Sequence, residues 1–242
     1  MVDSSCATVI IPTLNEENNI VQLIDKIKKL MPNVNLIVSD DGSKDKTQEL
    51  VCEKGLYYGS GKENKSSIIL LDRSKKPIKG LTASVIDAIN KCKTDFFVVI
   101  DADHQHPPEK ILDMISIFKS KKDVELVIGN RIKIHGDWGL HRLLISETAY
   151  IMGSLRLIKK NFPKYDLMSG FFGGRTKLVK DVLSKHHSKF EHKGYKVMFD
   201  IMKYLPKDTK IEKVDYEFGL RTKGESKLDW KIVFYYFRSL FK

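Results

Sequence analysis

Asp101 and Asp103 stand one residue apart, directly after the apolar run Phe96 to Ile100. Open α/β sheets gather ligands at the carboxyl ends of their strands, so this position singles the pair out. Side chains two apart in an extended segment point the same way, so both carboxylates can converge on one hard divalent cation bridging a diphosphate. Gln105 continues the alternation and offers a neutral oxygen, whereas His104 and His106 are expected to face elsewhere and to be structural. A lone Asp-x-Asp is often only a solvated loop, and it is the all-apolar strand before it that gives this one weight. Pro107-Pro108-Glu109 then starts a helix, proline being tolerated in a first turn.

Two other acidic turns are candidates for the same edge. Thr8 to Ile11 runs into Pro12-Thr13-Leu14-Asn15-Glu16-Glu17, and Asn35 to Val38 runs into Asp40-Asp41-Gly42-Ser43-Lys44-Asp45. Helix capping alone would explain the first and a capped turn the second. The second can also accept hydrogen bonds from a base or a ribose. Three such clusters at the ends of three strands are harder to explain structurally, because like charges repel unless something cationic is bound.

Placing these turns together requires a sheet. Apolar runs at Thr8 to Ile11, Asn35 to Val38, Ser67 to Leu71, Phe96 to Ile100 and Glu125 to Ile128 alternate with helical patterns. Ile20, Leu23, Ile24, Ile27 and Leu30 mark one helix face, and Ile111, Leu112, Ile115 and Phe118 another. This βαβ alternation predicts a mainly parallel central sheet with flanking helices, a Rossmann-like α/β fold. Gly55 to Ser66, rich in Gly, Ser and Lys, reads as a mobile surface loop. Arg131 to Lys164 holds seven Lys or Arg against Asp137 and Glu147, and reads as an appendage to the sheet. Within it, Leu140, Leu143, Leu144, Tyr150, Ile151, Leu155 and Ile158 give the apolar face of an amphipathic helix. The tail from Trp230 to Lys242 is aromatic and basic together, a combination that suits either docking on the domain or a bilayer interface.

A chain of 242 residues, 42% hydrophobic, is long enough to bury a full core in one α/β domain, and a net charge of +11 points to an anionic partner. Nucleic acid, phosphorylated small molecules and acidic membranes all satisfy that charge. Cys6, Cys52 and Cys92 show no metal-site or disulfide spacing and fit a reducing compartment. No secretory leader is visible before Ala7, so Asn64-Lys65-Ser66 is expected to be a polar loop rather than a glycosylation acceptor. The apolar runs are too short to cross a bilayer, which leaves any membrane contact peripheral.

Ile11-Pro-Thr-Leu-Asn-Glu-Glu17, Val38-Ser-Asp-Asp-Gly-Ser43 and Asp101-Ala-Asp-His-Gln-His-Pro-Pro-Glu109 resemble family 2 glycosyltransferases in order and spacing. More narrowly, Asp166-Leu-Met-Ser-Gly-Phe-Phe172 and Phe218-Gly-Leu-Arg-Thr-Lys-Gly-Glu-Ser-Lys-Leu228 resemble dolichyl-phosphate mannose synthases, and the likeness runs over nearly the whole chain. The resemblance implies a glycosyltransferase A fold with amphipathic membrane-interface helices. It implies a single catalytic domain over 1–242, with a nucleotide-sugar and metal half at 1–130, an acceptor half at 131–229 and an interfacial helix at 230–242.

Carried over position by position, it implies that Pro12, Leu14, Glu16, Asp41 and the Arg73 to Gly80 segment, with Lys79, surround a guanosine nucleotide. Asp101, Ala102, Asp103 and Gln105 would lie at the donor diphosphate, the two acids and Gln105 holding Mg2+ or Mn2+. Ser169 and Gly170 would line the sugar pocket, with Lys227 near the diphosphate or the acceptor. Arg131, Arg142, Ser146 and Arg221 would bind the acceptor phosphate, and Asp103, Arg131 and Arg221 would carry catalysis. Leu14 stands where the family usually has Tyr, Thr82 replaces Gly, Leu167 replaces Pro and His104 replaces Leu.

The implied reaction passes mannose from GDP-mannose to dolichyl or another polyprenyl phosphate with inversion, at the cytoplasmic face of a membrane, the endoplasmic reticulum in a eukaryote. Related proteins take their anchor from a spanning tail or from a small partner subunit, so such a subunit is among the expected partners. A UDP-glucose or other UDP-sugar donor on the same fold is the rival within enzymes. A basic non-catalytic membrane or nucleic-acid-binding module is the rival from another class. No recognised nucleic-acid motif is present, and binding alone gives no reason for three acidic turns.

Overall fold

In the computed structural model, residues 3–59, 68–135, 140–160, 162, 165–220 and 230–242 are described, with the backbone alone at 58–59, 140–146 and 230–233. The expected polar loop at Asn64 to Ser66 and the residues Arg221 and Lys227 lie outside them, as do the side chains of Arg142 and Ser146.

Strand β1 (Ala7–Thr13) is buried along its whole length, which is why it reads as a continuous apolar run rather than an alternation. It pairs in parallel with β2 (Asn35–Asp40) and β4 (Phe96–Val99), and β2 pairs in parallel with β3 (Ile68–Asp72). Pro12 lies beyond the last pairing with β4, Ile10 with Val99, where its missing N–H removes no ladder bond on that side. The seven-stranded sheet has the order β3-β2-β1-β4-β6-β5-β7, completed by β5 (Val124–Ile134), β6 (Phe172–Arg175) and β7 (Lys210–Phe218). Strand β6 alone runs against its neighbours, β4 and β5, while β5 and β7 are parallel.

Helices α1 (Ile20–Leu30), α2 (Thr47–Gly59), α3 (Leu81–Lys91) and α4 (Lys110–Ser120) connect the first five strands. Helices α5 (Leu140–Leu157), α6 (Thr176–Lys185), α7 (Val197–Tyr204) and α8 (Trp230–Phe241) follow. Two apolar cores lie on the two faces of the sheet. Ile10 joins α3, α6 and α7 in one, while Val9 and Ile11 join α1 and α4 in the other, as the period of two along a strand requires.

Three expectations are corrected. The stretch from Gly55 to Gly59 is helical, not loop. Val51 is buried in the core and Lys54 pairs with Asp25 of α1 at 2.7 Å, contacts that outweigh the roughly 1 kcal/mol a helical glycine costs. The start of the expected appendage, Arg131 to Ile134, belongs to the sheet, because β7 runs alongside β5 as far as Phe218. The helix predicted from Pro107 begins at Lys110, after a turn.

Candidate active site

The loops after β1 and β2 are stitched to each other. Asn15 adopts φ 56, its amide donates to Ser43 Oγ at 2.8 Å and its side-chain oxygen accepts from Lys44 N at 2.8 Å. Glu16 N donates to Thr47 Oγ1 at 2.8 Å, and Glu17 N to Asp45 Oδ2 at 3.1 Å. Asp40 accepts from Thr13 Oγ1, Gly42 N, Ser43 N and Gln48 Nε2 at 2.7–3.1 Å. Asp41 turns the other way, onto Arg73 Nη1 and, at 2.7 Å, Gly80 N. Burial pushes the Asp41 carboxyl up, against the opposing pull of the Gly80 amide, Arg73 and Lys79. Arg73 is only 2% exposed, and it also donates to Asp87 Oδ2 and to Ile78 O, both at 2.9 Å. The acidic turn after β2 therefore carries its own cation, and the expectation that such a turn needs an external one is corrected there.

The turn after β4 is built differently. Residues 101–106 have left the strand, and His104 takes φ 63. The reading of Asp101 and Asp103 as alternate residues of an extended segment is thus corrected: the chain turns from Ala102 onward. Asp103, 7% exposed, accepts from Gln105 N at 3.2 Å. Gln105 Nε2 donates to Gly219 O at 3.1 Å, so its amide oxygen is the end turned from Gly219. His106, expected to face away, is buried in a box of Phe171, Tyr216 and Phe218 with ring centroids 5.1–5.5 Å from its own. It shares hydrogen bonds with Tyr216 OH at 2.8 Å and Asp101 Oδ2 at 3.3 Å. His104 is structural as expected, bonding Asn19 O at 3.1 Å, and burial holds its imidazole below the ordinary histidine range.

The antiparallel β6 brings distant chain to this turn. Val99 pairs with Phe172, so the residues before Phe172 lie beside those after Val99. A Cβ on Gly170 would come within 3.0 Å of Asp101 Oδ2, so this approach suits glycine. On the same edge Arg131, on β5, meets Asp166 through Nε and Nη2, at 2.5 and 3.0 Å, and lies over Phe218. Burial opposes the Arg131 charge, but the Asp166 carboxylate more than offsets it and its pKa is raised. Lys196 donates to Met168 O at 2.6 Å; desolvation first, then Arg131, push its ammonium down to about 8, against Asp166 and Asp101.

The chain matches Glycosyl transferase family 2 over residues 8–183. It belongs to that family. The match begins in β1 and ends in α6, so it takes in both acidic turns, the Asp101 turn and β6. Individual relatives extend the likeness to nearly the whole chain. A dolichol-phosphate mannosyltransferase of Pyrococcus furiosus is 35% identical over 97% of this chain, which spans 62% of that relative's length. Dolichol-phosphate mannosyltransferases of Mycosarcoma maydis and Saccharomyces cerevisiae are 30% and 29% identical, covering 98% and 96% of this chain and 78% and 85% of theirs. Among solved structures, glucosyl-3-phosphoglycerate synthase from Mycobacterium tuberculosis, in complex with Mn2+, UDP and phosphoglyceric acid, superposes with a TM-score of 0.69. It is 20% identical and covers 97% of this chain and 76% of that one, a likeness of fold.

In this family 2 glycosyltransferase, the described residues expected at the donor fall at the carboxyl ends of β1, β2, β3 and β4, except Ser169, which precedes β6. Leu14 is 39% exposed and Glu16 half-buried, accepting from Asn19 Nδ2 at 2.8 Å, whereas Pro12, Ala102 and Ser169 are buried. Arg73 and Lys79 are directed inward: Lys79 Nζ donates to the carbonyls of Asp41, Arg73 and Ser74. Both shape the loop around Gly80. Of the acceptor set, Arg131 is the member whose side chain is described. Sequence reasoning missed the roles of Asp166, His106, Tyr216 and Lys196. His106, five residues after Asp101 in the same motif, and Asp166, at the head of the Asp166 to Phe172 motif, carried a usable signal.

Proposed function

We propose that this glycosyltransferase moves mannose from GDP-mannose to dolichyl or another polyprenyl phosphate, inverting the anomeric centre to give a β-linked product. The observation that carries the reading is the likeness to three dolichol-phosphate mannosyltransferases over 96–98% of the chain, beyond the family match. On this reading residues 1–130 form the donor half, 131–229 the acceptor half and 230–242 an interfacial helix of one catalytic domain.

Asp101 and Asp103 would hold a divalent cation, with the Gln105 oxygen beside them. The donor set fits Mg2+ or Mn2+: two carboxylates and an amide are hard oxygen ligands, and a Cβ at position 170, where the chain has glycine, would crowd Asp101 Oδ2 at 3.0 Å. Among the described residues no group of three or more His, Cys, Asp or Glu is placed to hold a metal ion, so the proposed site rests on two carboxylates and the Gln105 amide. Such an ion, when bound, offsets the negative charge growing on the leaving nucleoside diphosphate.

The other steps belong to the chain's own groups. A phosphate monoester has a second pKa of about 6, so the acceptor arrives ionised and orientation matters more than deprotonation. Arg131, fixed by Asp166, would hold that phosphate together with Arg142, Ser146 and Arg221. Ser169 and Gly170 would border the sugar, and Leu14, Glu16 and Asp41, braced by Arg73 and Lys79, the nucleoside, with Pro12 beneath and Lys227 nearby. The lipid acceptor sets the location: a membrane surface, at its cytoplasmic face, reached through α5 and α8. Among the described residues no helix is long and apolar enough to cross a membrane. A small anchoring subunit is a further partner on this reading.

The M. tuberculosis neighbour, bound to UDP, favours the second reading, a UDP-sugar donor on the same fold. Labelled GDP-mannose and UDP-sugars, each offered with a short polyprenyl phosphate and with Mg2+, Mn2+ or chelator, separate the two. Mannosyl lipid formed from GDP-mannose and lost with chelator is expected. Product from UDP-sugars alone rejects the mannosyl assignment.

A further inference from the structure

Lys196 immediately precedes α7, where the helix dipole disfavours a cation. Its ammonium is close enough to Arg131 for the two positive charges to repel. Two carboxylates, Asp166 and Asp101, act on it in the other direction. Asp166 is already engaged by both arms of Arg131, and Asp101 belongs to the cation on the reading above. That leaves Arg131 and Lys196 sharing one carboxylate, a positive excess at a half-buried place. An ammonium has three donors, and Met168 O accepts the hydrogen bond it makes among the described residues. Met168 is the neighbour of Ser169 and Gly170, which border Asp101.

The segment holding Lys196 is also anchored to the donor loop. Thr82 N donates to Gly194 O and Ala83 N to His192 O, both at 3.1 Å, so residues 192–194 cap α3. Gly80, with φ +130, approaches them so closely that a Cβ would lie 2.8 Å from His192 O. Lys196 is therefore held between the Gly80 loop on the donor side and Arg131 on the acceptor side.

We propose that Lys196 binds a phosphoryl oxygen at the transfer centre, as a second cation beside Arg131. This rests on the transferase reading, and the ligand chemistry, a phosphate oxyanion, is shared by the donor diphosphate and the lipid phosphate. A bound oxyanion supplies the countercharge that Asp166 cannot give twice, and accepts the remaining N–H donors. It also counters the desolvation and, second to it, the repulsion from Arg131 that push the ammonium down to about 8.

Lys196→Gln keeps a donor for Met168 O and removes the charge; Lys196→Arg keeps the charge. The Gln variant is expected to raise the KM of one phosphate substrate roughly tenfold to hundredfold, with Arg restoring most of it. A rise for the polyprenyl phosphate places Lys196 at the acceptor, and a rise for GDP-mannose places it at the donor diphosphate. Calorimetric titration of a short polyprenyl phosphate and of GDP should show the same loss of affinity without turnover. Unchanged affinity for both, in a folded Gln variant, overturns the proposal. Should the wild-type protein transfer no mannose, the mannosyl reading fails, while these titrations still decide Lys196. In the wild-type chain, acetylation of Lys196 followed by mass spectrometry should slow severalfold when either phosphate is added. Labelling indifferent to both also overturns it.

Discussion

At the scale of single residues, the Asp101 turn and the Arg131–Asp166 pair are expected to fail in different ways. Asp103→Asn keeps an oxygen for the Gln105 amide, so the turn should survive and the melting temperature should stay within a few degrees. Removing the charge should cost roughly a hundredfold to a thousandfold in kcat, the range found when one preorganised electrostatic contact is lost. Wild-type turnover in that variant would remove Asp103 from the metal site. Asp166→Asn keeps its side-chain oxygen for Met168 N, an acceptance now seen at 3.0 Å, but frees Arg131 from its counter-charge. The expected result is a severalfold rise in the KM for polyprenyl phosphate with the GDP-mannose KM unmoved; a change confined to the donor would contradict the assignment of Arg131. The two carboxylates after β4 were legible because an apolar strand followed by Asp-x-Asp is a local pattern. The partner of Arg131 was not, because Asp166 is distant in sequence and arrives only through the antiparallel pairing of β5 with β6. His106 was misread because a positive φ at His104 undoes the alternation that an extended segment would have had.

At the scale of elements, α8 is fastened to α7 by buried charge. Lys203 Nζ lies 2.8 Å from Asp200 Oδ1, Ser239 Oγ donates to the same oxygen at 2.5 Å, and Lys203 also donates to Ser239 O. Glu191, buried beside them, pairs with Arg238 and Lys242 at 3.0 Å each. Burial pushes the Asp200 carboxyl up and the Lys203 ammonium down, so each charge depends on the other to stay buried. Asp200→Ala strands Lys203 and should cost about 3–5 kcal/mol in urea unfolding, while Asp200→Leu with Lys203→Met should recover most of that. A single variant losing less than about 1 kcal/mol would mean that α8 docks by its apolar face alone. The sequence announced α1, α4 and the five parallel strands β1 to β5 through apolar runs and helical stripes. It hid β6, whose Phe-Gly-Gly-Arg has no strand pattern and fits because its glycines leave room against Phe97. It also disguised the outer half of β5, where Arg131 and Lys133 alternate with isoleucines at a partly exposed surface.

At the scale of the whole molecule, the proposed lipid-phosphate acceptor requires the catalytic edge to reach a bilayer, and we propose that two packed helices, α5 and α8, make that contact. Tyr236 OH of α8 donates to Ala149 O of α5 at 2.5 Å, and Arg156 Nε of α5 donates to Leu240 O at 3.0 Å. With Tyr236 and Leu240 turned inward, α8 leaves Phe234, Phe237 and Phe241 exposed by 53%, 37% and 84%, and α5 leaves Ile151 and Leu155 exposed by 58% and 62%. Ile158, just past the end of α5, continues that stripe at i+3. Residues spaced three, four or seven apart share a helix face, so these are stripes rather than scattered side chains. Arg156, Lys159 and Arg238 beside them add positive charge to a chain that is +11 overall. Apolar insertion with basic flanks predicts binding to vesicles containing phosphatidylserine or phosphatidylglycerol, weaker binding to purely zwitterionic ones, and partial release as salt screens the charge. Phe241→Glu together with Leu155→Glu should reduce vesicle binding at least tenfold and slow transfer to vesicle-borne polyprenyl phosphate. The same pair should leave transfer to a short, water-soluble polyprenyl phosphate near wild type, because neither residue touches the catalytic edge. Equal losses with both acceptors would show that the stripes serve the fold, and vesicle binding that survives both substitutions would place the membrane contact elsewhere.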